Sequence, residues 1–102
     1  MNQQQARGAI TAALSFKASA LTGARRNETY FTTGYLSHAD AALYWQDKPE
    51  YTVYSYATPI AWLKSDGNWH VISEKFSRTT SHHQSITRAA IADYNSRLEA
   101  VA

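Results

Sequence analysis

The sequence predicts an α+β domain: a small antiparallel sheet of three to four strands, a C-terminal helix packed on one face, and an N-terminal helix or arm. Three observations carry this. Thr52, Tyr54 and Tyr56 alternate with Tyr51, Val53 and Ser55, which is the two-residue period of a strand. Residues 60–63 and 69–72 are apolar runs on either side of Asp66-Gly67, a dipeptide suited to a tight hairpin. Behind them, Ile86, Ala89, Ala90, Tyr94 and Leu98 recur at the spacing of a helix face.

Composition sets the bounds. The 102 residues suffice for one modest core. With 44% apolar and 13% aromatic residues the chain is a folded domain rather than a disordered tail. There is no cysteine, which excludes disulfides, thiolate metal sites and a thiol nucleophile. No apolar run is long enough to span a membrane, and the N-terminus lacks the charged and apolar regions of a secretion signal. The expected compartment is the cytoplasm, with no membrane contact and no cofactor.

In chain order, residues 1–5 are polar and expected to fray. Ile10, Ala13, Leu14, Ala18 and Leu21 predict a helix over residues 6–20, ended by Gly23 in a left-handed conformation. Residues 1–27 thus form a basic helix or arm, and residues 28–102 a single α+β unit. A loop is expected over 23–28, then a strand over 29–36 interrupted near Gly34. Ser37, with Asp40 three residues on, caps a short helix from His38 to about Trp45. Asp47-Lys-Pro-Glu turns the chain into the central strand, and Pro59 bends it. A two-residue loop at Asp66-Gly67 places Trp62 opposite Val71 and Lys64 opposite Trp69, so that Lys64 lies over the indole. Ser81 and Gln84 fit a capping box that starts the last helix, which runs to about Leu98.

Two stretches then resemble a known family. Val53, Ser55, Tyr56, Thr58, Ile60 and Ala61 fit a V-x-S-Y-x-T-x-I-A strand, and Phe76, Ser77, Thr79, Thr80, Ser81, His83 and Gln84 fit a Y-S-x-T-T-S-x-H-Q motif. Over residues 50–90 the chain resembles a small domain of bacteriophage and actinobacterial mobile-element proteins, with Phe76 in place of the tyrosine. The resemblance implies a phage or mobile-element origin and carries no activity with it.

Charge and motifs narrow the function. Residues 1–27 and 75–92 are basic without an acid, whereas 28–74 hold six acids against two lysines. The four histidines lack metal-ligand spacing, and no glycine-rich phosphate loop is present. No enzyme is expected. The one catalytic alternative is a metal-independent nuclease drawing on His70, His83, Arg78 and Lys75. The leading expectation is a small accessory protein that binds a host or virion protein through an aromatic surface of Tyr30, Tyr35, Tyr44, Trp45 and Tyr51. The alternative is nucleic acid at the basic start of the last helix, held by Arg78, Thr79, Thr80, Ser81, His83 and Gln84. A weak dimer is compatible with either.

Overall fold

In the computed structural model, residues 1–28 and 32–101 are described. The chain runs α1 (Gln3–Thr11), β1 (Phe16–Ala18), β2 (Leu21–Arg25), a 3₁₀ turn (Arg26–Glu28), α2 (His38–Asp47), β3 (Tyr51–Ser55), β4 (Thr58–Leu63), β5 (Trp69–Val71) and α3 (Arg78–Val101). The fold is α+β, with all five strands antiparallel in the order β1-β2-β3-β4-β5. That is one or two more than the sequence predicts, and the extra pairing lies in the N-terminal segment.

The N-terminal helix is shorter than its periodicity suggests and starts earlier. Asn2 caps it by accepting from the Gln5 amide, while the Gln5 side chain accepts from the Asn2 amide, so residues 1–5 are capped instead of frayed. It stops at Thr11, and Ala13 turns left-handed with φ 53°. Residues 16–25, expected as helix and loop, are instead a hairpin that pairs β2 with β3. Tertiary pairing overrides alanine's helix propensity here. Gly23 lies in this strand and ends no helix.

Strand alternation then sorts the core into two layers. On one face Tyr51, Val53 and Ile60 meet Ile10 and Ala6 of α1 and Ala90 of α3. On the other, Trp62 and Ile72 meet Tyr44 of α2 and Leu36. Each fully buried aliphatic side chain here, such as Ile10 or Val53, contributes about 1.5–3 kcal/mol of hydrophobic stabilisation. Arg7 and Asp93 join α1 to α3 by a two-point ion pair at 2.6 and 2.9 Å.

Helix α2 starts where Ser37 predicts, with its hydroxyl accepting from the Asp40 amide at 3.2 Å. It closes at Lys48, left-handed at φ 46°. Residues 32–36 form a turn, not a strand, and 29–31 lie outside the described residues. Glycine is required in that turn: at Gly34 φ is +50°, and a Cβ would fall 2.3 Å from Thr58 Oγ1.

The β4–β5 hairpin exists, but one residue out of the expected register. Lys64 and Asn68 close a three-residue loop, and only Gly67, at φ 87°, is left-handed in it. That is a type I turn followed by a bulge residue, not a two-residue turn. Trp62 therefore faces His70 and Leu63 faces Trp69, while Lys64 faces Asn68 rather than the Trp69 ring. A one-residue slip exchanges the faces of the strand.

The cap of helix α3 lies four residues before the expected one. Ser77 accepts from the Thr80 amide at 3.1 Å, which leaves Ser81 inside the helix. The buried side of α3 is Thr80, His83, Gln84, Thr87, Ala90 and Ile91, and Leu98 stays 48% exposed. Ser77→Ala should lower stability by about 1 kcal/mol, and Ser81→Ala by a few tenths at most, as read from denaturant midpoints.

Candidate functional site

The two stretches singled out in the sequence meet at one end of the sheet. Ser55 closes β3, and its hydroxyl hydrogen-bonds His83 Nδ1 at 2.7 Å and Thr80 Oγ1 at 3.0 Å. Ser77 donates to the same Thr80 oxygen at 3.1 Å. Ser77, Thr80, Ser55 and His83 thus form one chain of hydrogen bonds from the surface into the interior. One turn on, the Gln84 amide donates to the carbonyls of Ile72 and Glu74 at 2.8 and 3.1 Å, fixing the backbone between β5 and α3. Such a network fixes α3 against β3 because every member has a partner.

The residues of the expected anion site are divided between interior and surface. Thr80, His83 and Gln84 are buried and committed to the protein's own groups, while Arg78 and Thr79 are exposed on the first turn and Ser81 is half-buried. Burial pushes the His83 imidazole below its ordinary pKa, and the neighbouring His82 charge adds to this. His83 is therefore neutral near neutral pH, unlike a phosphate-binding imidazolium.

The two histidines of the nuclease alternative lie on opposite faces of the sheet. His70 stacks on Trp62 at 4.7 Å on the α2 side of the sheet, whereas His83 meets Ser55 on the α3 side. Ser55 and His83 do form a hydroxyl–imidazole pair, but Ser55 is 1% exposed, too enclosed to attack a substrate. Among the described residues no three His, Asp or Glu side chains gather as a metal site. None of the described helices is long and apolar enough to cross a membrane.

What the network builds is a groove of about 440 Å³. Tyr56 rises from the β3–β4 turn on one side, Phe76 from the strap that Gln84 fixes, and Tyr35 from the turn before α2. Thr58 Oγ1 accepts from the Tyr35 amide at 3.0 Å and holds that turn against β4. Ser55 and Thr80 form the floor, and Lys75 and Ser77 complete the lining. Tyr35 is 84% exposed and Tyr56 59%, so neither ring belongs to the core.

Tyr56 is also strained. It is the first of two turn residues between β3 and β4, with φ 57°, where such a turn normally takes glycine or asparagine. Side chains other than glycine pay roughly 1–2 kcal/mol for this conformation. The ring lies 6.3 Å from that of buried His83 but is itself mostly exposed, and strain on such a residue concentrates at functional positions.

The expected aromatic surface is redistributed. Tyr44 is 2% exposed, sharing hydrogen bonds with Tyr54 and Thr52 at 3.0 and 3.4 Å, so it is core and not surface. Tyr51 is buried as well, donating to the Leu14 carbonyl. Trp45 is half exposed on α2 and does not line the groove. Tyr30 lies outside the described residues. The sequence reads Tyr56 as strand because nothing in Ser-Tyr-Ala-Thr signals a turn, whereas β3 ends at Ser55. No curated protein and no solved structure matches the chain. The model of the Family of unknown function (DUF8033) matches residues 6–95, which include every residue of the groove, and the chain belongs to that family.

Proposed function

We propose that the chain is a non-enzymatic binding module that takes a segment of a partner protein into the groove between Tyr35, Tyr56 and Phe76. The observation that carries it is Tyr56, a strained and exposed aromatic at the mouth of a groove whose floor hydroxyls are already satisfied. Aromatic side chains are the favoured anchors of protein interfaces, since they bury large area at low entropic cost. The resemblance to phage and mobile-element domains supports a partner from the host cell or the virion. The nucleic-acid alternative is weaker, because only Arg78 and Thr79 of its expected contacts are fully exposed.

The test is capture from nuclease-treated host lysate by the immobilised protein. Tyr35→Ala and Tyr56→Ala should each weaken retention of the partner by about 2 kcal/mol, roughly thirtyfold, without loss of folding. Trp45→Ala, on a separate surface, should leave it unchanged. Retention unaffected by both tyrosine variants, or abolished by the nuclease, would overturn the proposal.

A further inference from the structure

A second hollow, of about 400 Å³, adjoins Tyr56, which among the described residues is the one lining both. It is lined by Lys17, Ser19, Ala20, Thr22, Thr32 and Ala57 as well. Each hollow has the volume of an ordinary ligand site. The two turns at this end of the sheet are hydrogen-bonded, Tyr56 N–H donating to the Ala20 carbonyl at 2.7 Å. Both carry a non-glycine residue in the left-handed region, Ser19 at φ 56° and Tyr56 at φ 57°. Backbone strain is thus doubled beside the second hollow.

Among the described residues the charged side chains lining the two hollows have one sign. Lys75 lines the first hollow and Lys17 the second, and no carboxylate of the described residues lines either. Among the described residues the ion pairs are Arg7–Asp93 and Arg26–Glu50, so both lysines lack an acidic partner. Between them the lining is hydroxyl, aromatic and small apolar. A single-stranded nucleic acid places a phosphate at every nucleotide and needs a continuous cationic track. Two cations separated by an aromatic ridge and a row of hydroxyls instead suit spaced carboxylates on a backbone that hydrogen-bonds.

We infer that the ligand is an acidic, extended protein segment that crosses Tyr56 and fills both hollows, with one carboxylate directed to Lys75 and another to Lys17. This rests on the proposed binding of a protein segment and extends it to a second hollow and a charge class. Charge complementarity of this kind contributes chiefly specificity and association rate, and is weakened by salt.

The test is fluorescence anisotropy of the full chain with three labelled probes: a glutamate–tyrosine copolymer, a lysine–tyrosine copolymer and an oligothymidylate. The glutamate–tyrosine copolymer should bind best, and Lys17→Glu and Lys75→Glu should each weaken it about tenfold, as expected for a close charge contact. Arg88→Glu, the same charge change at an exposed position on α3, should have little effect. Weakening by Lys75→Glu but not by Lys17→Glu would overturn the second hollow and leave binding in the first groove standing. Equal binding of the two copolymers, still abolished by Tyr56→Ala, would overturn the acidic class alone. Tightest binding of the oligothymidylate would overturn this inference and the protein-segment proposal together.

Discussion

Tyr44→Ala should destabilise the domain by about 3–5 kcal/mol, the range for deleting a buried aromatic side chain. The ring packs edge-on to Trp62 at 5.1 Å and to Trp45 at 5.2 Å, and its hydroxyl joins Tyr54 and Thr52 on β3. Truncation removes one of the contacts that hold α2 to the sheet, beside the Trp62–Asp47 hydrogen bond, and leaves a cavity next to Trp62. For a domain with about 5–15 kcal/mol in total, a loss of this size lowers the melting temperature sharply. Tyr44→Phe keeps the ring and loses only the hydroxyl, so it should cost about 1–2 kcal/mol. A Tyr44→Ala protein as stable as the parent would show that α2 does not pack on this face.

The second large effect is expected at Gly23. A Cβ there would sit 2.0 Å from Tyr51 Oη and 2.4 Å from Phe16 Cε1. Neither ring can yield easily. Phe16 is paired opposite Gly23 across the β1–β2 hairpin, and Tyr51 is 1% exposed with its hydroxyl fixed on the Leu14 carbonyl at 2.7 Å. The two rings cover a bare glycine, which lets them close over β2. Gly23→Val should therefore force β1 or Tyr51 out of place and cost about 3 kcal/mol, at the upper end of overpacking effects. Equilibrium unfolding in urea measures it, and an unchanged midpoint would contradict the pairing of β1 with β2.

Which parts of the fold were legible follows from where local chemistry and tertiary packing agree. Ser37 and Asp40 announce α2 correctly because the cap is a local hydrogen bond. The β4–β5 hairpin is announced by Asp66-Gly67, but whether Gly67 closes a two- or a three-residue loop is not written in the dipeptide, and that difference sets the register. The N-terminal hairpin is hidden, since an alanine-rich stretch with apolar residues at helical spacing reads as helix until β3 is available to pair with β2. The β3–β4 hairpin is hidden too, because Tyr56 and Ala57 make its turn without glycine or asparagine. Pro59 is tolerated inside β4 beside a bulge, where Ile60 is the extra residue between the pairs Val53–Ala61 and Tyr54–Pro59.

The site divides in the same way. The sequence groups Arg78, Thr79, Thr80, Ser81, His83 and Gln84 as one binding site, of which the fold uses Thr80, His83 and Gln84 to join α3 to β3 and the preceding strap. Its polar side chains read as ligand contacts only while their internal partners, Ser55 and two carbonyls near β5, are unknown. Tyr44 reads as a surface aromatic for a related reason: a short helix with scattered apolar residues does not declare which side it buries. The groove itself needs three distant segments at once, residues 32–36, 55–58 and 75–80, and no local pattern connects them.

The melting temperature of Tyr56→Gly, measured beside its binding, tests the central claim most directly. Glycine relieves roughly 1–2 kcal/mol of left-handed strain and returns about 0.5–1 kcal/mol through the greater entropy of the unfolded chain. A net gain approaching 1 kcal/mol corresponds to a rise of about 4 °C or more for a domain of this size. If Tyr56 is kept for a partner, the variant melts higher than the parent and no longer retains that partner. A lower melting temperature with binding intact would show that the ring serves the fold, and would contradict the assignment of this groove as the functional site.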